Sequence, residues 1–140
     1  MGTIIYDQTA RVSAWVAAKM GRAVPFAGHY AMGVERNGEI VAGIVMDNFN
    51  GRNAFPHIAI ERPGKDLVLL LRAFCHYAFN LCGLKRLTAF VDASNEKVLA
   101  FDRHIGFTDE FVMLDGAPDG ELIFLVMRRE TCRWIEHEQQ

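Results

Sequence analysis

Residues 86–107, RLTAFVDASNEKVLAFDRHIGF, contain the signals for a strand, a helix and a sharp turn in direct succession. Arg86–Val91 is rich in strand-forming residues, and Ser94 or Asn95 can cap the helix that follows. Gly106 stands where that helix should end, because glycine readily adopts the left-handed conformation found after many helices. The stretch predicts a strand–helix unit of a kind that packs on a sheet.

The segment before this unit predicts a long apolar helix. The turn Glu61–Asp66 contains Pro63-Gly64, and Gly83 follows the last apolar residue. Between them apolar residues recur at helical spacing over most of the surface, so we expect a central rather than a peripheral helix. The helix is predicted to run from Leu67 to Cys82.

The first half of the chain predicts a helix and an antiparallel meander. Ile4–Tyr6 reads as a short strand, and Thr9 can cap a helix that ends at Gly21. Tyr30–Arg36 and Glu39–Asp47 flank Asn37-Gly38, the strongest short-range hairpin signal. Three further strands are predicted, and they are Ala54–Ile60, Phe107–Asp115 and Glu121–Arg128.

Composition limits the classes of protein. The chain has 140 residues, 51% of them hydrophobic, and a net charge of −2, so we expect one folded domain spanning 1–140. Lys and Arg form no long stripe, which argues against a nucleic-acid partner. No apolar run approaches the roughly 20 residues of a membrane span. Three cysteines, expected to be reduced, fit a cytoplasmic location.

Two motifs resemble the GNAT N-acetyltransferase superfamily. Residues 89–95, AFVDASN, are similar to the family's fifth strand and the Asn that follows it, and residues 101–107, FDRHIGF, resemble its helix end and Gly-Phe pair. The likeness is good over residues 54–134, and residues 85–134 resemble GNAT-like proteins often encoded by bacteriophages. It implies an α/β (α+β) fold with a mixed, mostly antiparallel central sheet of six to seven strands and helices on both faces.

The resemblance implies transfer of an acetyl group from acetyl-coenzyme A to a primary amine. Main-chain amides at a helix start suit a pyrophosphate, because partial positive charge collects there. The strand before this turn would line the pantetheine. The implied coenzyme-binding residues are Ile58, Ala59, Ile60, Arg62, Gly64, Lys65, Asp66, Leu67, Asn95 and Phe101.

Three residues are candidates for proton transfer. His57 stands in an otherwise apolar strand, where it is either a packed structural histidine or a general base. Glu61 is a second candidate base, or a solvated turn residue. Asp102 occupies the position at which many family members have a Tyr that acts as general acid. An aspartate of ordinary pKa, however, is ionised at neutral pH and has no proton to donate.

The sequence departs from the GNAT pattern in two places. The coenzyme turn, usually Arg/Gln-x-x-Gly-x-Gly/Ala, reads Arg62-Pro63-Gly64-Lys65-Asp66-Leu67-Val68, and Asp102 replaces the Tyr. The alternative function is therefore a GNAT-fold binding or assembly module without transferase activity.

Other features of the sequence bear on metals and assembly. The five histidines are scattered, without the spacing of a metal site, so no metal is expected. The nearly all-apolar central helix and an exposed last strand, Leu122–Met127, would suit a homodimer edge, so we expect a homodimer. No motif identifies the acceptor amine.

Overall fold

The computed structural model describes residues 2–24 and 26–137. Their strands form one sheet in the order β1-β2-β3-β4-β5-β7-β6. Every neighbouring pair is antiparallel except β4 and β5, which run parallel. The strands are β1 Thr3–Ile5, β2 Tyr30–Arg36, β3 Glu39–Asp47, β4 Asn53–Ile60, β5 Arg86–Asp92, β6 Thr108–Ala117 and β7 Gly120–Arg128. The predicted mixed, mostly antiparallel sheet is confirmed.

Helices cover both faces of the sheet, as predicted. They are α1 Thr9–Lys19, α2 Lys65–Cys75 and α3 Glu96–Ile105, with a π-helical segment His76–Leu81 and a 3-10 turn Arg129–Thr131. Residues of α2 and α3 share the larger buried cluster with alternate residues of β2–β5 and β7. Residues of α1 form the second cluster on the opposite face, over β2 and β3. We call these the α2 face and the α1 face.

The hairpin and the α3 unit agree with the sequence. Asn37 and Gly38 have φ of 52° and 80° and join β2 to β3, because both residue types tolerate positive φ. The N–H of Val98 donates to Asn95 Oδ1 over 3.3 Å, so Asn95 caps α3. Gly106 closes it at φ 118°. The cap predicted at Thr9 is wrong: Gln8 precedes α1, and the Thr9 hydroxyl accepts from the Ala31 amide instead.

The long apolar helix changes form along its length. The α-helix ends at Cys75, and the chain continues to Leu81 as a π-helical segment. There the Cys82 amide donates to the Tyr77 carbonyl, five residues back. The guanidinium of Arg129 donates to the Phe79 carbonyl, which compensates for the altered helical hydrogen bonding. Periodicity cannot separate these two helix forms, so the prediction of one helix to Cys82 missed the change.

The last strand is not the edge of the sheet. β7, which contains Leu122–Met127, lies between β5 and β6 and is hydrogen-bonded to both. Leu125, Val126 and Met127 are buried, whereas most of β6 is exposed, so the more apolar strand takes the internal position. The prediction of a dimer edge at Leu122–Met127 is therefore wrong, and β6 is the edge strand at this end of the sheet.

The described residues give two further observations. Cys75 and Cys132 are buried, and their thiols are hydrogen-bonded, which together with burial raises the pKa of Cys75 well above its ordinary value. No helix within 2–24 and 26–137 is both long and apolar enough to cross a bilayer.

Candidate active site

The two parallel strands separate and leave an opening in the sheet. β4 and β5 pair only at Asn53–Arg86 and Ala54–Leu87, although β4 continues to Ile60. Beyond Ala54, main-chain groups of β4 on the β5 side have no strand partner, while the other edge stays paired to β3. Peptide groups in such an opening can bind a ligand, since each buried N–H needs a partner.

The opening is a cleft of about 560 Å³ that passes from one face of the sheet to the other. On the α2 face it is bordered by α3, through Val98 and Asp102. On the α1 face it is bordered by His57 and Phe90. An extended molecule could thus enter from one face and meet a second molecule arriving from the other.

Nine of the thirteen predicted site residues border this cleft, and they come from strand β4, the turn that follows it, and helix α3 with its cap. These nine are His57, Ile58, Ala59, Ile60, Glu61, Arg62, Asn95, Phe101 and Asp102. The other four do not border it and lie where α2 begins. These are Gly64, Lys65, Asp66 and Leu67.

The start of α2 has no side-chain cap. Within the described chain, the amides of residues 65–67 donate no hydrogen bond, and that of Val68 bonds to the Gly64 carbonyl over 3.3 Å. The Asp66 carboxylate points to β2, where Arg36 donates from Nε to Oδ2 over 2.6 Å. This bond lowers the pKa of Asp66 and neutralises its charge. Asp66 therefore does not block the helix start.

His57 forms a hydrogen-bonded pair with Asp47. Its Nε2 lies 2.9 Å from Asp47 Oδ1, and both side chains are largely buried. A carboxylate can only accept, so Nε2 carries the hydrogen and Nδ1 keeps the lone pair. The ring packs against Phe26 at 5.0 Å and edge-on to Phe90 at 6.3 Å, which fixes its orientation. A histidine oriented in this way by a carboxylate is suited to accept a proton.

Asp47 was not among the predicted site residues. The strand register of the predicted meander could have identified it. Asp47 pairs with Phe55, two residues before His57, so the two side chains are diagonal neighbours on one face. Without the register, Asp47 reads only as the last residue of a strand.

Glu61 has a different partner. Its carboxylate forms an ion pair with Lys19 Nζ at 2.7 Å, and both side chains are well exposed. This contact connects the end of α1 to the mouth of the cleft. A carboxylate held by a lysine is a poorer proton acceptor than a histidine with a free ring nitrogen.

Among the described residues, Asp102 is buried without a charged partner. It is 8% exposed, and burial raises the pKa of its carboxyl group to about 6. Its pKa is therefore higher than that of an ordinary aspartate, because burial disfavours the charged form. The carboxyl group can carry a proton at mildly acidic pH beside the cleft.

Replacing Asp102 by Asn should change how stability depends on pH. The folded carboxyl releases its proton near pH 6 and the unfolded one near 3.8, so the folded wild type loses stability as pH rises between these values. The Asp102→Asn variant has no carboxyl group to ionise at this position, so it does not lose stability in this way. Its free energy of unfolding, relative to that of the wild type, should therefore increase by about 2–3 kcal/mol between pH 4 and pH 7. Urea unfolding at both pH values measures the difference.

Asp109→Asn is the matched control. Its pKa is lowered by Arg103, so this variant should lose stability relative to wild type as pH rises. A difference between Asp102→Asn and wild type that stays constant from pH 4 to pH 7 would show that Asp102 is not buried in this way.

Comparison with known proteins identifies structural neighbours only. No family model matches the chain, and no curated protein does. Mutant forms of the spermidine/spermine N-acetyltransferase SpeG from Vibrio cholerae superpose with a TM-score of 0.73 at 12% identity, over 93% of this chain and 96% of that one. A probable acetyltransferase gives 0.66 at 18% identity, over 92% and 93%.

A third neighbour is a dodecameric spermidine N-acetyltransferase from Vibrio cholerae, with a TM-score of 0.71 at 14% identity over 92% and 94% of the two chains. Within residues 2–24 and 26–137, no cluster of three or more His, Cys, Asp or Glu side chains could hold a metal. The seven-stranded, mostly antiparallel sheet with its three α-helices superposes on these neighbours over nearly the whole chain. The chain has the fold of the GNAT N-acetyltransferases.

Proposed function

We propose that the protein is an N-acetyltransferase that moves an acetyl group from acetyl-coenzyme A to a primary amine in a ternary complex. The observation that carries the proposal is the cleft between β4 and β5, which crosses the sheet. It offers two entrances and unpaired peptide groups between them. Two substrates that react directly need such an arrangement, because each must reach the same point from its own side.

The acyl donor binds from the α2 face in this proposal. Its pyrophosphate lies at the free amides that begin α2, where the helix dipole favours an anion, and Arg62 and Lys65 add positive charge. The pantetheine lies along Ile58–Ile60, between the parted strands. Asn95, whose Oδ1 caps α3, has its amide N–H₂ available for the coenzyme.

The chemistry requires removal of protons from the amine and delivery of one to sulfur. The amine nitrogen attacks the thioester carbonyl carbon, the C–S bond breaks, and the thiolate leaves with the bonding pair. His57 Nδ1 accepts a proton from the amine while Asp47 holds the ring. A β4 amide donates to the carbonyl oxygen, where negative charge develops. The thiolate takes its proton from Asp102 or from water.

Incubation of the protein with acetyl-coenzyme A and a panel of primary amines tests the activity. Free thiol should appear together with an acetylated amine, found by mass spectrometry, in equal amounts. Binding of acetyl-coenzyme A without transfer to any amine or protein would instead favour the alternative, a binding module with this fold.

Removing two cations at the start of α2 should weaken coenzyme binding. Arg62→Ala with Lys65→Ala is expected to raise the Kd for coenzyme A by at least about 10-fold, since each hydrogen bond to a charged group contributes roughly 1.5–3 kcal/mol. Calorimetry measures the change. Arg11→Ala, which removes an exposed arginine that pairs with Glu35 away from the cleft, is the control. Equal affinity of the double variant and the control would exclude both cations from the site.

A further inference from the structure

A continuous row of aromatic rings crosses the α1 face beside His57. Phe90 lies 5.8 Å from Phe55 and 5.9 Å from Phe124, measured between ring centroids. Phe124 stacks on Phe111 at 4.4 Å with the ring planes only 8° apart. The row therefore extends across β4, β5, β7 and β6, and its second ring, Phe90, lies edge-on to the histidine of the cleft.

Among residues 2–24 and 26–137, no helix covers this half of the α1 face. Helix α1 packs on β2, β3 and the nearby part of β4, and the helices α2 and α3 belong to the other face. Phe90 is 47% exposed, although a phenylalanine in a sheet centre is normally covered. An exposed apolar patch of aligned aromatic rings is typical of a binding surface.

Three of the four rings in this row form one wall of a second cavity, which adjoins the cleft. It measures about 560 Å³ and is bordered by Phe55, Phe90 and Phe124, with amide side chains from Asn48, Asn50 and Asn53. Phe90 borders both cavities, so the two share one wall. A molecule seated on Phe90 and Phe124 therefore reaches the cleft at His57.

The charged groups around the second cavity indicate which class of amine it can bind. No carboxylate borders the second cavity among the described residues. The nearby acids already have partners: Asp47 bonds to His57, and Glu110 is bound by Arg86 at 2.9 Å and by Arg128 at 3.5 Å. A polyamine keeps one or more ammonium groups charged during the reaction, and these need carboxylates or similar acceptors. Aromatic rings beside neutral amides suit a single amine on a flat apolar group.

We propose that the acceptor is an arylalkylamine, a primary amine joined to an aromatic ring by a short alkyl tether. Its ring packs against Phe90 and Phe124, and its amine projects into the cleft toward His57. This inference rests on the proposed function and names its acceptor. It separates this chain from SpeG, the structural neighbour that is a spermidine/spermine N-acetyltransferase.

Comparison of the acetylation rates of different amines tests the assignment. Steady-state rates are measured at saturating acetyl-coenzyme A with phenethylamine, tryptamine, n-butylamine and spermidine. We expect kcat/KM for the two aromatic amines to exceed that for n-butylamine and for spermidine by roughly 10-fold or more. A preference for spermidine or n-butylamine overturns the aromatic assignment and leaves the proposed function intact.

Two Phe→Leu variants on the same face give the matched comparison. Phe124→Leu, which borders the second cavity but not the cleft, should raise KM for phenethylamine roughly 2- to 12-fold through loss of an aromatic contact, with little change for n-butylamine. Phe111→Leu, at the far end and bordering neither cavity, should behave as wild type. Equal losses for both amines in Phe124→Leu would overturn the inference.

Two further outcomes are distinguishable. Failure to bind acetyl-coenzyme A and to acetylate any amine overturns the proposed function and the acceptor with it. Sedimentation showing a dimer that Phe90→Leu dissociates would mean that a second copy covers the patch, which also overturns the acceptor assignment.

Discussion

His57→Ala is expected to lower kcat/KM for amine acetylation by about 10²–10⁴-fold, the usual contribution of a positioned general base. The Nδ1 that we propose as proton acceptor is lost. Among the described side chains that border the cleft, Glu61 is held by Lys19, and Asp102 lies on the α2 face, opposite the side from which the amine is proposed to enter. The acidic limb of the pH–rate profile, which reports the base, should disappear in the variant. Rates from pH 5 to pH 9 measure both effects.

Two variants separate chemistry from packing. His29→Ala removes another histidine that packs on Phe26, but one that does not border the cleft, and should keep its rate and pH profile. Asp47→Asn keeps the His57 ring and should fall between wild type and His57→Ala, because it changes the hydrogen-bond partner of the ring. If His57→Ala folds and keeps both its rate and its acidic limb, His57 is not the base.

Filling the cleft is expected to block coenzyme binding. Ile58 lies on β4 with part of its side chain in the larger core and part bordering the opening. Ile58→Trp would place the indole between the parted strands, where the pantetheine is proposed to lie. Since overpacking costs typically 1–3 kcal/mol, the Kd for acetyl-coenzyme A should rise roughly 10- to 100-fold. Calorimetry on the folded variant measures it.

Ile58→Val is the control for this substitution. It shortens the side chain and leaves the cleft open, so binding should stay close to wild type. Thermal melting of both variants verifies that the sheet is intact. Unchanged affinity in a folded Ile58→Trp would mean that the coenzyme does not occupy the space between β4 and β5.

Local signals predicted much of the fold correctly. The Asn37-Gly38 turn, the Asn95 cap and Gly106 each act within a few residues of themselves, so sequence is sufficient to identify them. The order of β6 and β7 is different, because it depends on which strand buries more apolar surface against β5. The π-helical segment depends on Arg129, which is distant in sequence. Both features required the tertiary structure.

The candidate site likewise contains residues that the sequence can identify and others that require the tertiary structure. The residues on β4 and at Asn95 could be placed from motif resemblance, since they follow each other in order along the chain. The Asp47–His57 pair requires a strand register, and the raised pKa of Asp102 requires knowledge of its burial. Asp66 illustrates the same point. Its charge conflicts with a phosphate site until Arg36, on a distant strand, is seen to neutralise it.

The burial of Asp102 is typical of a site in which a functional group lowers the stability of the folded protein. An uncompensated carboxyl in an apolar wall destabilises the folded state above about pH 6, where it ionises. Active sites commonly contain such groups, because a perturbed pKa suits proton transfer. The proposed role of Asp102 as a proton source for the thiolate gives this position a chemical reason.

Calorimetric titration of the protein with acetyl-coenzyme A tests the central claim most directly. The claim is that the opening between β4 and β5, with the free amides at the start of α2, holds the coenzyme. We predict one site per chain with a Kd in the micromolar range, and this Kd should rise roughly 10- to 100-fold when the cleft is filled at Ile58. Absence of binding at this affinity in the folded wild-type protein would contradict the account.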